Sequence, residues 1–229
     1  MRLTFALLSL ILFSACATIS PTYVPQADID IVVVKSVRIP DSEPWYSRFA
    51  SHVWIEYRQK GDQNWTRVEA NTEPLQEPIH PSVANHNVRW GRDVELLAVY
   101  LLEDAANMIP HIKESALRHS EGFEYRAYPG PNSNTYAARI IADVPNLDVE
   151  LPHNAIGKDY TTTISAGLTP SRDGLHLDTL PLGLSLGYQQ GLELHLIGLT
   201  AGLSLWPPQL KIPFLPRIGL SPGLTRLPE

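Results

Sequence analysis

The 229-residue chain has one cysteine, Cys16. A single thiol excludes an intrachain disulfide, and it excludes zinc centres that need two or more thiolate ligands from one chain. Stability therefore has to come from packing. The eight histidines show neither an HExxH nor a paired HxH spacing, so no metal motif is read and no cofactor is expected. Basic charge is scarce as well. The formal net charge is -6, and without a basic field nucleic-acid binding is disfavoured. No apolar run reaches the roughly 20 residues that a membrane-crossing helix needs. Leu175 to Leu205 comes nearest, and Gln189-Gln190, Glu193 and His195 interrupt it. With 44% hydrophobic residues, the chain can still bury a core of one domain with an extension.

The first positive signal lies at the start of the chain. Arg2 precedes a mostly apolar stretch, Leu3 to Phe13, and small residues stand before Cys16, which is the layout of a secretory signal. The stretch is too short for a stop-transfer helix. It resembles the bacterial lipoprotein signal, with Phe13-Ser14-Ala15-Cys16 as the last four residues and Phe13 in place of the usual leucine. That resemblance implies lipidation of Cys16: a diacylglyceryl group on its sulfur, cleavage before it, and acylation of the new amino group. Two or three buried acyl chains anchor firmly where one binds only marginally. Ala17 stands where an aspartate would favour the inner membrane, so the resemblance points to the outer membrane with the protein facing the periplasm. The competing reading is an ordinary signal peptide that contains a cysteine.

Along the chain, residues 1–15 thus read as the signal, 16–28 as a polar tether, 29–165 as the core and 166–229 as a Leu/Gly/Pro-rich extension packed on the same domain. Ile29 to Val37 is rich in β-branched residues and predicts a buried strand. Ser51 to Arg58 alternates, with Val53, Ile55 and Tyr57 on one face and His52, Trp54, Glu56 and Arg58 on the other. A turn at Lys60 to Asn64 then predicts a hairpin with Trp65 to Glu69. Val94, Leu97, Leu101, Ala105 and Met108 recur at helical spacing after Asp93, a plausible N-cap, and Pro110 is expected to end that helix or open a shorter one. Phe123 to Tyr128 alternates like a strand. Pro129 to Asn134 turns the chain, and Thr135 to Val144 predicts a helix stopped by Pro145. Beyond Ile164, Leu-x-Leu pieces separated by Gly and Pro predict short, tightly packed strands or loops and not helices, followed from Pro207 by an extended tail.

Two places carry candidate chemistry. Ser133 sits where a turn enters a helix, near unsatisfied backbone N–H groups and the positive end of the helix dipole. A serine there needs an adjacent base, and a neutral His52 is a candidate. Each has a plainer reading. Asn132 and Ser133 are favoured turn and N-cap residues, and His52 beside Trp54 can simply pack a half-buried strand face. His153, Glu56 and Glu69 are all candidates for the group that orients His52. Gly157-Lys158-Asp159 lacks the first glycine of a P-loop, since Pro152 stands there. The segment reads as a turn whose charged pair, Lys158 and Asp159, can line the same cleft as Asn132, Asn134 and Thr135.

The segments YRAYPGPNSNTY (Tyr125 to Tyr136), LPHNAIGKDY (Leu151 to Tyr160) and GLELHLIGL (Gly191 to Leu199) resemble a family of uncharacterised bacterial envelope proteins over about Ile31 to Leu220. More distantly, SHVWIEY with His52 and PNSNTY with Ser133 are similar to circularly permuted papain-like proteins, with Ser133 in the cysteine position. The resemblance implies an α+β fold in which one antiparallel sheet is packed by two or three helices, in a permuted papain-like core. It leaves two functions. One is a lipid-anchored module, without catalysis, that binds an envelope peptide, glycan or lipid. The other is a serine amidase or acyltransferase with Ser133 as nucleophile, His52 as base and the amides of Asn134 and Thr135 as an oxyanion hole.

Overall fold

A computed structural model describes residues 28–43, 47–70, 78–82, 88–215 and 218–220. Cys16, the signal and nearly all of the tether lie outside these residues, as does the end of the proline-rich tail. The first half of the chain forms β1 (Ile31–Arg38), β2 (Ser51–Arg58), β3 (Trp65–Val68), β4 (Ile79–Ser82), the ribbon β5 (Val88–Arg89) and β6 (Arg92–Asp93), and β7 (Glu95–Leu101). Two helices follow, α1 (Leu102–Ser120) and α2 (Ser133–Asp143). Strands 1–4 and 7 make a five-stranded antiparallel sheet in the order β4-β3-β2-β1-β7.

Both helices cover one face of this sheet. Val32 and Val34 of β1 and Val53, Ile55 and Tyr57 of β2 share a core with Met108, Ile109 and Ile112 of α1 and Tyr136, Ile140 and Ile141 of α2. The opposite face is covered too, so all eight residues of β2 are buried. There Glu56 accepts hydrogen bonds from Lys35 Nζ at 2.6 Å, Trp54 Nε1 at 3.0 Å and Arg67 Nε at 2.8 Å. A buried charge is tolerated only when paired in this way.

Three local expectations change. Residues 95–101, expected in a helix from Asp93, are a strand because β1 supplies a ladder partner for them; the helix begins only at Leu102. Pro110 does not break it. Pro110 and Ala106, whose carbonyl loses its partner, both face solvent, where water can satisfy that oxygen. Phe123 to Tyr128 forms no strand, and the Arg126 N–H instead meets the Pro131 carbonyl at 2.7 Å to close the turn before α2.

The largest correction concerns the region beyond Ile164. It forms seven strands, β8 (Ser165–Leu168), β9 (Gly174–Asp178), β10 (Leu182–Gly187), β11 (Gly191–Leu196), β12 (Leu199–Leu205), β13 (Pro208–Lys211) and β14 (Ile218–Gly219). They pair antiparallel in the order β14-β13-β12-β11-β10-β9-β8. The described residues are thus dominated by two antiparallel sheets, of five and seven strands, with only two helices. This overturns the expected α+β, permuted papain-like core with an appended extension. The supposed extension is the larger sheet.

That sheet is inverted relative to an ordinary soluble one. Asp178, Ser185, Glu193, His195, Thr200, Ser204, Gln209 and Lys211 are buried, while the leucines between them are exposed. The ladder register aligns Leu168, Leu175, Leu186, Leu192, Leu203, Leu210 and Ile218 in one outward row, one residue from each strand. A second row runs through Ala166, Leu177, Leu184, Leu194 and Ala201.

Candidate functional site

The start of α2 is tied to the middle of β2 by side-chain hydrogen bonds. Asn132 is the N-cap: its Oδ1 accepts from the backbone N–H groups of Asn134 at 3.0 Å and Thr135 at 3.2 Å, and Thr135 Oγ1 accepts from the Asn132 N–H at 3.0 Å. This reciprocal arrangement is a capping box. Asn132 Nδ2 donates to the carbonyls of Ala127 and Ile156, both at 3.0 Å, and Thr135 Oγ1 donates to Gly157 at 2.6 Å. Asn134 Nδ2 donates to the Ser51 carbonyl at 2.8 Å, and its Oδ1 accepts from the Val53 N–H at 2.9 Å. These two contacts flank His52, so one asparagine sets the position of the histidine against the helix that carries Ser133.

Both residues line a single cavity of about 610 Å³. Trp90, Tyr125 and Tyr128 give it aromatic walls, and Asn132, Ser133 and Asn134 form a polar patch on the helix side. Burial pushes the Tyr125 hydroxyl pKa up, and the neighbouring Ser133 pulls the other way. Among the described residues no hydrogen bond joins Ser133 to His52.

His52 Nε2 instead meets Glu69 Oε2 at 2.7 Å. Of the three candidates for orienting the histidine, Glu69 is the one in contact. Glu56 belongs to the Lys35 network, and His153 Nε2 lies 3.2 Å from the Leu215 carbonyl. The His52 ring stacks on Trp54 and sits 5.6 Å from each of the Trp54 and Trp90 rings, centroid to centroid. Arg89 lies over both indoles and donates twice to Glu69, at 2.8 and 3.2 Å. Burial lowers the His52 pKa against the opposing pull of Glu69, keeping the ring neutral. Burial works against the Glu69 charge, but hydrogen bonds from His52, His80 and Arg89 hold its carboxyl well below the usual carboxylate range. With Glu69 ionised and acceptor-only, the neutral ring carries its proton on Nε2, and Nδ1 is left as its acceptor.

The amides of Asn134 and Thr135, expected as an oxyanion hole, both point at Asn132 Oδ1. They are not free to receive a developing charge. Asn132, Asn134 and Thr135 act first as the joint between helix and strand.

Lys158 and Asp159 do not line the cavity. They meet the polar face of the seven-stranded sheet. Lys158 Nζ donates to Glu193 Oε2 at 3.0 Å and Asp159 Oδ1 at 3.0 Å, and Lys211 Nζ donates to Glu193 Oε1 at 2.6 Å and Glu150 Oε1 at 2.8 Å. His195 Nδ1 meets Asp178 Oδ1 at 2.6 Å. Burial opposes a charge on His195, but the Asp159 charge and bonds to Asp178 and Glu193 raise its pKa to about 9. Asp159, Asp178 and His195 offer ligand atoms within 4.8 Å of one another, yet Lys158 and a protonated His195 already supply the cluster's positive charge.

Sequence reading did not find Trp90 or the loop residues Ile39 and Pro40 at the cavity, nor Arg89 on Glu69 behind His52. They lie in loops or a two-residue ribbon strand with no periodicity to read. The one local signal was the pair of tyrosines, Tyr125 and Tyr128, directly before the proline turn.

No curated protein and no solved structure matches the chain. A family model does match, over residues 32–160, so it spans the five-stranded sheet, both helices and the cavity, and it ends before the seven-stranded sheet. Covering more than half of the chain, it shows that the protein belongs to the family described as "Protein of unknown function (DUF3750)".

Proposed function

We propose that this protein is a lipid-anchored envelope lipoprotein of the outer membrane, facing the periplasm, which holds an envelope peptide, glycan or lipid fragment in the His52–Ser133 cavity. The observation that carries the binding role is the contrast between a wide aromatic cavity and occupied amides. Trp90, Tyr125 and Tyr128 offer flat apolar contact around a few polar groups, the usual make-up of a ligand site. The two amides best placed to stabilise an oxyanion are bound to Asn132. Titration of tryptophan fluorescence with muramyl dipeptide, a muropeptide disaccharide and a lysophospholipid tests this. At least one should give a saturable change that Trp90→Phe removes, and no saturable response to any of the three sinks the binding role. The anchor rests on the Leu3 to Phe13 stretch and Cys16. Mass spectrometry should show an acyl mass on the wild type that Cys16→Ser lacks, and equal masses apart from the substitution would contradict it.

One observation favours a second reading, a serine amidase or acyltransferase on the same substrates. A neutral His52 held at 2.7 Å by ionised Glu69 shares the cavity with Ser133, the residue types of a hydrolytic triad. A fluorophosphonate should then label the wild type and not Ser133→Ala or His52→Ala. Equal labelling of all three removes this reading.

A further inference from the structure

The outward face of the seven-stranded sheet has no partner among the described residues and is built for an apolar one. Its rows hold leucine, isoleucine and alanine, with no charged or hydrogen-bonding side chain in either. Leu175, Leu186 and Leu182 are 65%, 63% and 58% exposed. Soluble monomers rarely expose contiguous apolar patches beyond a few hundred Å². Seven strands of about five residues, at about 4.8 Å between strands and 3.3 Å per residue, make a flat footprint of about 500 Å², and the protruding leucines expose more accessible surface than that footprint.

We infer that this face lies on the hydrocarbon surface of a lipid bilayer. Two observations choose the bilayer over a second copy of the chain. A stable protein interface carries about one hydrogen bond per 100–200 Å², and these rows offer no side-chain donor or acceptor, whereas acyl chains ask for none. Between β8 and β14 the sheet pairs its backbone strand to strand, so the face itself turns no unsatisfied backbone group toward hydrocarbon and only the two edge strands are open. The chain's own last nine residues, with only Leu224 and Leu227 as large apolar side chains, are too few to cover the face.

The rim agrees. The β10–β11 and β12–β13 hairpins lie at the same end of the sheet, and their tips present Tyr188 and Trp206 at 64% and 63% exposure. Tyrosine and tryptophan settle at the headgroup boundary. The longest strand, β12, has seven residues, fewer than the nine or so that a spanning strand needs. The sheet therefore lies on the bilayer and does not cross it, with its ionic face turned toward Lys158 and Glu150.

Trp206 is the probe. Full-length protein is bound to phosphatidylethanolamine/phosphatidylglycerol vesicles whose acyl chains are either plain or dibrominated, and the emission lost in Trp206→Phe is measured in each. That emission is expected to be present in plain vesicles and lost in brominated ones. Leu177→Thr with Leu194→Thr, which keeps strand propensity, should restore it. Should the double variant not fold, Leu175→Thr serves in its place. Equal Trp206 emission in the two vesicles overturns the inference, as does quenching unchanged by the threonines, or a lipid-free dimer that the threonines dissociate. The inference is independent of the cavity and of Cys16 acylation: Trp206 reads the sheet face, and the acyl mass reads the anchor, so either can fail alone.

Discussion

Replacing Glu193 by glutamine tests the inverted packing of the seven-stranded sheet. Glu193 is 2% exposed. Burial resists its charge, but Lys158, His195 and Lys211 together hold its pKa well below the ordinary carboxylate value. Glutamine keeps the shape and removes the charge, so two buried ammonium groups lose a shared counterion. Breaking a buried pair from one side costs about 3–5 kcal/mol. Lys158 retains Asp159 at 2.8 Å, and Lys211 retains Glu150 at 2.8 Å and the Gln190 carbonyl at 2.9 Å, which places the loss near the lower end, about 3 kcal/mol. Set against a net stability of about 5–15 kcal/mol, that loss is large. Urea unfolding followed by far-UV circular dichroism measures it: with a slope of about 2 kcal/mol/M, the midpoint should fall by about 1.5 M at unchanged slope. Leu194→Thr, one residue along on the opposite face, is the control. In lipid-free protein it should shift stability by no more than about 0.5 kcal/mol. The reverse outcome, an indifferent Glu193→Gln and a damaging Leu194→Thr, would mean that the leucines face inward, and it would refute the reasoning.

Three further outcomes follow from the same structure. Asn132→Ala removes the N-cap and two hydrogen bonds to loop carbonyls, so thermal unfolding should report a loss of about 2 kcal/mol; Asn132→Ser, which also loses those two bonds but keeps a capping oxygen, should lose less, and equal losses would contradict the capping role. Gly157 has φ +86°, and a Cβ there would fall 2.5 Å from Asn132 Nδ2 and 2.9 Å from the Pro129 carbonyl; Gly157→Ala should therefore cost about 1–3 kcal/mol in urea unfolding, and a neutral result would show that the joint is looser than described. The third outcome is a pH dependence. The His195 pKa rises on folding from 6.5 to about 9, so the stability from its charge is complete below 6.5 and disappears as pH climbs through 9, a change of about 3 kcal/mol. Asp178, lowered from 3.8 to about 2, acts oppositely: its contribution stands above 3.8 and is lost as pH falls through 2. His195→Gln should flatten the alkaline decline, and a wild-type midpoint that stays level across that window would count against the ion cluster.

Much of the five-stranded half was legible. Ile29 to Val37 corresponds to β1, because a run of β-branched residues buries both strand faces. The hairpin of Ser51–Arg58 with Trp65–Val68 is present as β2 and β3, and α2 begins within two residues of the expected Thr135 because Asn132 and Thr135 carry the capping box in their own side chains. Where reading failed, a partner distant in sequence decided. Val94, Leu97 and Leu101 fit a helical spacing, but β1 lies alongside to pair with residues 95–101. The Glu69 contact with His52 depends on the β2–β3 pairing and on Arg89, twenty residues further on, so no local pattern could rank it above Glu56 or His153.

By itself the sequence determined the lone thiol, the absence of a basic field, the strand-turn-strand and capped-helix segments, and the period-two alternation beyond Ile164. Only the tertiary structure decided which side of that alternation is inside. A period of two says that a strand has two unlike faces and nothing about their direction. That direction follows from what packs against them: Lys158, Asp159 and Glu150 draw Glu193, His195 and Lys211 inward, and the leucines are left facing out.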